Sequence, residues 1–245
     1  MDRLIYTSMT GANAAAARQA VLSNNLANAS TAGFRSELST FRAVPVRGDG
    51  AATRVFAAEA TAGHDDTAGP AQRTDRNLDA MAQGKAWFGV QALDGTEAYT
   101  RNGAFEVNAQ GTLVNNVGLT VLSADGAPID VPPGAQVTLG LDGTVTSKVA
   151  GQPPATLGRV KMVTPGVEDP LRRGEDGLFR AVSQNPLPAD ATARLQTGAI
   201  EGSNVNSVST MVAMIEAARQ FDSQTRLMQA AEQDDKAASQ LLSAG

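Results

Sequence analysis

Residues 207–242 read SVSTMVAMIEAARQFDSQTRLMQAAEQDDKAASQLL, without a single Gly or Pro. Apolar or small side chains recur at Val208, Met211, Ile215, Ala218, Phe221, Thr225, Met228, Ala231, Ala238 and Leu242. These steps of three and four residues place side chains on one face of a helix. Asn206 or Ser207 stands where an N-cap would accept hydrogen bonds from first-turn N–H groups. Such a helix would be roughly 50 Å long. A helix of that length with one narrow apolar seam is not satisfied inside a small globule and asks for a partner helix.

The opposite end of the chain offers that partner. From Asp2 to about Ala29 there is no Pro, and the one Gly is Gly11. Ile5, Met9, Ala12, Ala16, Ala20 and Ala27, flanked by Leu22 and Leu26, again follow helical spacing, and Ala14 to Ala17 adds intrinsic propensity. Asp2 is a candidate N-cap and Gly33 a candidate helix stop. Between the two ends the pattern changes. Asp94-Gly95, Asn102-Gly103, Gln110-Gly111, Asp125-Gly126, Asp142-Gly143 and Asp176-Gly177 are turn dipeptides, flanked by short runs such as Trp87 to Val90 and Gln136 to Leu139. Phe41 to Arg47 and Thr53 to Glu59 are strand-like around Gly48-Asp49-Gly50, and Ala60 to Gly69 has the polarity of a loop.

The expected fold is α+β: long N- and C-terminal helices pair as a coiled-coil-like unit, with an all-β domain inserted between them. The expected divisions are an N-terminal helix over 1–33, an extended or hairpin region over 34–76, a β-rich domain over 77–184, a return linker over 185–204 and a C-terminal helix over 205–245. The residues expected to form an assembly seam are Ile5, Met9, Ala12, Ala16, Leu26, Val208, Met211, Ile215, Ala218, Phe221, Met228 and Leu242.

Composition narrows the function. The net charge is −5 and no basic patch stands out, which argues against nucleic acid as a partner. The ends are opposite in sign: Arg3, Arg18, Arg35, Arg42 and Arg47 dominate residues 1–47, while Glu201, Glu216, Asp222, Glu232, Asp234 and Asp235 outnumber the cations of residues 201–245. Opposite charges of this kind fit two solvated helix faces, or else ends that pack on one another, within or between subunits, with the charges biasing the pairing. There is no Cys, so disulfides and thiol chemistry are excluded. No run approaches the roughly 20 apolar residues of a membrane span, and Leu4-Ile5-Tyr6 is too short for a signal h-region. The lone histidine, His64, lies beside Asp65 and Asp66 but lacks a second His or Cys to complete a metal site. Carboxylates such as Asp94, Asp142 and Asp176 stand beside Gly, where Asp makes turns. No phosphate-cradling Gly loop occurs. We therefore expect no catalytic residues, no cofactor and no metal.

One segment resists a purely local reading. In Leu22-Ser23-Asn24-Asn25-Leu26-Ala27-Asn28, three Asn occupy a helix that they disfavour. Asn24 and Asn28 share a face, and buried amides there would need partners and would fix register. This segment, continuing through Thr31, Gly33, Phe34 and Arg35, resembles the N-terminal signature of flagellar rod, hook and hook-associated proteins. Glu201-Gly202-Ser203-Asn204-Val205, followed by Met211 to Ile215 and Arg219-Gln220-Phe221, is similar to the C-terminal signature of the same family. Leu78 to Met81, Gly84 to Phe88, Tyr99 to Phe105, Gly111 to Val114 and Gly174 to Phe179 resemble its middle elements in the family order. Met1 to Thr7 and Phe41 to Val46 look most like the proximal-rod member, with the distal-rod member the nearest competitor.

The resemblance implies a structural, non-enzymatic subunit of the proximal rod, polymerising into the periplasm-spanning drive shaft. It implies copies of itself and other rod proteins as partners, proximal rod below and distal rod above. It also implies delivery through the flagellar type III export apparatus without a cleaved signal peptide, and no insertion into the membrane. A reading from another class is a secreted β-domain enzyme acting on the cell wall, which a catalytic carboxylate pair would reveal. A third is a periplasmic adhesin with ordered ends.

Overall fold

The computed structural model describes residues 2–45 and 55–243. Val46, Arg47, Gly48-Asp49-Gly50 and Thr53 lie outside the described residues, as do the side chains of Asp2, Ala238 and Leu242. The chain forms two compact units, one of residues 1–29, 36–65 and 205–245, the other of residues 30–35 and 66–204. The region 34–76 is thus shared between them, and 30–33 belongs with the sheet and not with the helix that precedes it.

The first unit holds α1 (Asp2–Ala27), β1 (Glu37–Pro45), β2 (Val55–His64) and α2 (Ser207–Ser243). Asn206 caps α2: its side-chain oxygen accepts the Ser209 N–H at 3.1 Å and its carbonyl accepts the Thr210 N–H at 3.0 Å. Helix α1 ends before Gly33. The Asn28 side-chain amide turns back onto the Asn24 carbonyl at 2.9 Å, a second donor on an acceptor that also takes the Asn28 main-chain N–H at 3.1 Å. β1 and β2 pair antiparallel from Glu37 opposite His64 to Pro45 opposite Val55, with a register slip between Thr40 and Phe41. Residues 60–64, expected in a loop, are therefore strand. Residues 61–64 pair with 37–40 of β1 and Ala60 falls at the slip, and such backbone pairing requires no hydrophobic alternation.

The expected coiled-coil-like pairing of the two helices is overturned by which side chains are covered. α1 packs along α2 and also against both strands of the hairpin. The buried side chains of α1 are Ser8, Ala12, Ala15 and Asn25, and those described for α2 are Thr210, Ala217 and Ala231. Val208, Met211, Ile215 and Phe221, expected inside the seam, are exposed. Coiled coils are built on large apolar knobs at a and d positions, and this pattern of burial shows none. Small residues instead allow close approach: a Cβ on Gly11 would lie 2.9 Å from the Gln224 amide carbon. The fold is an antiparallel sheet domain accompanied by two terminal helices and a long hairpin.

The second unit contains β3 (Ala71–Arg73), β4 (Ala80–Ala82), β5 (Trp87–Gln91), β6 (Glu97–Thr100), β7 (Phe105–Val107), β8 (Leu113–Asn115), β9 (Thr120–Val121), β10 (Gln136–Leu139), β11 (Thr144–Lys148), β12 (Ala155–Arg159), β13 (Met162–Val163), β14 (Leu171–Arg173), β15 (Phe179–Ala181), β16 (Leu195–Thr197) and β17 (Ala199–Glu201). The main sheet runs β14-β15-β6-β5-β9-β8-β7, with β13 also on β5. β10-β11-β12 forms a second sheet, β16 pairs with β4 and β17 with β3. β5 is central and buried on both faces, so successive side chains feed different clusters. Trp87 packs with Tyr99, Leu171 and Phe179. Phe88 packs with Phe105, Leu113, Ile129 and Leu195, its ring meeting that of Phe105 edge-on at 5.1 Å.

Five of the expected turns contain a glycine at positive φ: Gly95, Gly111, Gly126, Gly143 and Gly177. Asn102-Gly103 is different. Gly103 has no positive φ, and a Cβ there would fall 1.9 Å from the Ala80 carbonyl oxygen, so glycine is required by close approach and not by a turn.

The Asp side chains of these loops accept hydrogen bonds from nearby hydroxyl, N–H and guanidinium groups. Asp190 accepts the Thr164 and Thr192 hydroxyls, each at 2.6 Å, and the Thr192 N–H at 2.8 Å. Those hydroxyls, Thr164 first, hold its carboxyl down to about 2. Asp94, Asp142, Asp169 and Asp176 are lowered in the same way by Thr96, Thr144, Ser183 and Arg180. Each folded-state pKa lies below the value in the unfolded chain. The stabilisation is therefore complete above about pH 4 and is lost as pH falls through the folded-state values. The thermal midpoint is expected to be level from pH 7 to 5 and to drop steeply below pH 4. Asp190→Asn should blunt the acid end of that drop, as scanning calorimetry across pH would record.

Candidate functional site

The N-terminal signature does two separate jobs. In the helix unit, its asparagines fasten the end of α1 to the start of β1. The Asn25 side chain donates to the Glu37 carbonyl at 2.9 Å and accepts the Glu37 N–H at 2.8 Å, so one side-chain amide replaces a strand partner. Asn24 donates to the Glu37 carboxylate at 2.9 Å, and Asn28 donates to the Asn24 side-chain oxygen at 2.9 Å. Asn24 and Asn25 thus find partners on β1, and Asn28 finds one on its own helix.

In the sheet unit, the remainder of that signature meets the C-terminal one around Glu201. The Glu201 side chain is 0% exposed. One of its oxygens accepts Arg35 Nη1 at 2.5 Å and the Gly69 N–H at 2.9 Å, and the other accepts Arg101 Nε at 2.7 Å. Its main-chain carbonyl accepts the Gly33 N–H at 2.7 Å. Arg101 donates further to the Ala86 carbonyl and, at 3.1 Å, to the Ala82 carbonyl. Both guanidinium groups lie 5.8 Å from the centre of the Trp87 ring. Burial draws the Arg101 pKa below its ordinary value, and the Glu201 charge opposes that. Phe34 is buried beneath the Arg173 guanidinium, at 4.6 Å. Asn204 donates its main-chain N–H to the Phe34 carbonyl at 3.3 Å and its side-chain amide to the Thr67 carbonyl at 3.0 Å. Gly202 donates to the Pro70 carbonyl at 2.8 Å.

Gly33, Phe34, Arg35, Glu201, Gly202, Ser203 and Asn204 are thus brought together, whereas Asn24, Asn25, Leu26, Ala27 and Asn28 serve the helix end. Arg101 and Gly69 complete the arrangement and were not singled out as site residues. The one signal for Arg101 was its place in the Tyr99 to Phe105 motif. Of the assembly-seam residues, Ala12 is buried and Ile5, Leu26, Ala218 and Met228 are half-buried. Met9, Ala16, Val208, Met211, Ile215 and Phe221 are exposed. Among the described residues no group of three or more His, Cys, Asp or Glu is placed to hold a metal ion, and no helix is long and apolar enough to cross a membrane.

Three family models match the chain: "Flagella basal body rod protein" over residues 5–35, "Flagellar hook protein FlgE/F/G D1 domain" over 81–147 and "Flagellar basal body rod FlgEFG protein C-terminal" over 196–241. The flagellar basal-body rod protein FlgF of Escherichia coli (strain K12) is 41% identical over 99% of both chains. The chain belongs to the flagellar basal-body rod protein family. FlgF of Salmonella typhimurium is likewise 41% identical over 99% of both chains, and FlgG of Bacillus subtilis is 30% identical over 93% of this chain and 94% of its own. This member of the rod family is a structural protein of the flagellar basal-body rod. The matched N- and C-terminal models end and begin around the two halves of the Glu201 cluster, Arg35 falling in one and Glu201 in the other.

Proposed function

We propose that the chain is a subunit of the proximal rod that polymerises through α1 and α2 into part of the periplasmic drive shaft. The observation that carries this reading is the exposed stripe on the first turns of α2. Val208 (69% exposed), Met211 (46%), Val212 and Ile215 (55%) stand at i, i+3, i+4 and i+7. At about 100° per residue, this stripe lies opposite the buried Thr210 and Ala217. Single exposed apolar residues mean little, but a contiguous stripe of large ones marks an interaction surface. Met9 and Tyr6 on α1 are exposed as well. Head-to-tail contact between identical subunits with a rotation that does not close builds a helical filament. Copies of the chain and neighbouring rod proteins, proximal below and distal above, are its partners. The flagellar type III apparatus exports it without removing a signal peptide, and it works by assembly and not by catalysis. A distal-rod role is the second reading, favoured by the similarity to FlgG of Bacillus subtilis.

The double variant Met211→Asp/Ile215→Asp tests the surface. Both side chains are already exposed, so stability should change by no more than about 0.5 kcal/mol per site. Incorporation into purified basal bodies and swimming in soft agar should both be lost in a strain that lacks its own copy. Normal swimming by that strain would remove α2 as the assembly face.

A further inference from the structure

The Glu201 cluster joins four stretches of the sheet unit that are far apart in sequence: 30–35, the Gly69 loop, Arg101 and β17. We propose that it is a latch that opens and closes as one piece, with Glu201 as its bolt, so that the sheet unit is complete only once residue 201 is in place. This concerns a single chain and stands or falls independently of the rod assembly proposed above.

The fit leaves little room for partial closure. A Cβ on Gly69 would lie 2.0 Å from the Gly202 carbonyl oxygen, and one on Gly33 would lie 2.4 Å from the Arg101 carbonyl carbon. The stretches therefore seat against each other's backbone, where no side chain can yield. Electrostatics make the seating conditional. Arg35 and Arg101 are like charges, both nearly fully buried, and one carboxylate holds them together. Arg35 Nε is buried with no acceptor among the described residues, so the burial of that guanidinium relies on Glu201 and the Trp87 face. Closing 30–35 and Arg101 without Glu201 would bury two cations without the carboxylate that bonds both, leaving to Arg101 the weaker attraction of Asp66. Closing β17 without Arg35 would leave the carboxylate short of a partner. Removing one member of a buried pair is far costlier than never assembling it, which makes the cluster all-or-none.

Chain order adds a consequence. Glu201 comes last along the sequence, after every residue it holds. In a chain produced from its N-terminus, residues 30–200 can all be present while this part of the sheet unit stays open.

Native-state hydrogen exchange on the full-length protein, with Trp87 emission as a second readout, tests the latch. Trp87 is the single Trp and is buried in the closed form. In the wild-type protein the Gly33, Gly69 and Gly202 amides should exchange through one shared opening. Glu201→Gln should speed that opening about 100-fold or more and shift Trp87 emission to the red. The Leu122 amide, bonded to the Gly89 carbonyl in the main sheet, should speed up far less. Glu201→Asp, which keeps the charge, should recover part of the protection. Three unrelated openings in the wild type, or equal acceleration at Leu122, would overturn the proposal. If Glu201→Gln does not fold, the wild-type exchange pattern decides alone.

Discussion

Arg101→Met is expected to lower the stability of the sheet unit by about 3–5 kcal/mol, the range for removing one partner from a buried ion pair. The substitution keeps most of the apolar volume of the side chain, so the loss reports charge and hydrogen bonds and not a cavity. Arg101 is almost wholly buried, shares Glu201 with Arg35, and also satisfies the Ala86 and Ala82 carbonyls. Without it, a buried carboxylate keeps a single guanidinium and two carbonyls lose their donor. Urea unfolding followed by Trp87 fluorescence would show the midpoint fall with the slope retained. An exposed pair sets the scale. Arg73 and Asp75 lie 3.1 Å apart with both side chains mostly in water, and Arg73→Met should change stability by only about 0–1 kcal/mol. A loss at Arg101 no larger than that at Arg73 would mean that water reaches the cluster. The comparison does not make the cluster a net source of stability, because an apolar replacement of the whole triad can be neutral or better. What the ions specify is which stretches of chain meet.

That distinction explains how much of the molecule its sequence discloses. The two terminal helices are plain from long runs without Gly or Pro and from the three- and four-residue steps. Which face of α2 is covered within the chain is not. Periodicity marks Val208, Met211 and Ile215 as a face, but among the described side chains of α2 it is Thr210, Ala217 and Ala231 that are buried, because small side chains let backbones approach. A stripe of large apolar residues reads the same whether its cover comes from the same chain or another. The Asp-Gly turns were legible because both residues act locally: glycine takes positive φ and Asp accepts from the next turn residues. Asn102-Gly103 is a turn dipeptide of the same kind but answers to the Ala80 carbonyl more than twenty positions away. β16 and β17, three residues each, are too short to show alternation, so their sequence reads as linker. The signatures could be recognised by resemblance, yet their geometry could not. Glu201 is 166 residues from Arg35 and 100 from Arg101, and no local pattern reports an ion pair over such separations.

Gly33→Ala separates the helix-stop reading from the one that the structure supports. As a helix stop, Gly33 would need only its left-handed backbone, and alanine would cost about 1–2 kcal/mol. The structure adds a second demand. φ is +70°, and the new Cβ would sit 2.4 Å from both the Arg101 carbonyl carbon and the Asn102 nitrogen. Backbone atoms on a strand end cannot swing aside as a flexible side chain would. Overpacking of this kind costs about 1–3 kcal/mol more, for a total near 2–5 kcal/mol. Gly118 supplies the control within the same unit: its φ is +88°, and a Cβ there meets nothing within 4 Å. Gly118→Ala should therefore show the backbone cost alone. Chemical denaturation of both variants, read at Trp87, gives the difference directly. Equal losses would mean that residue 33 is asked only for its conformation. A Gly33 loss larger by at least about 1 kcal/mol, with α1 helicity by circular dichroism unchanged, would place the demand in the fit of 30–35 against Arg101. A helix end tied off by Asn28, five residues earlier, has no need of glycine at that position.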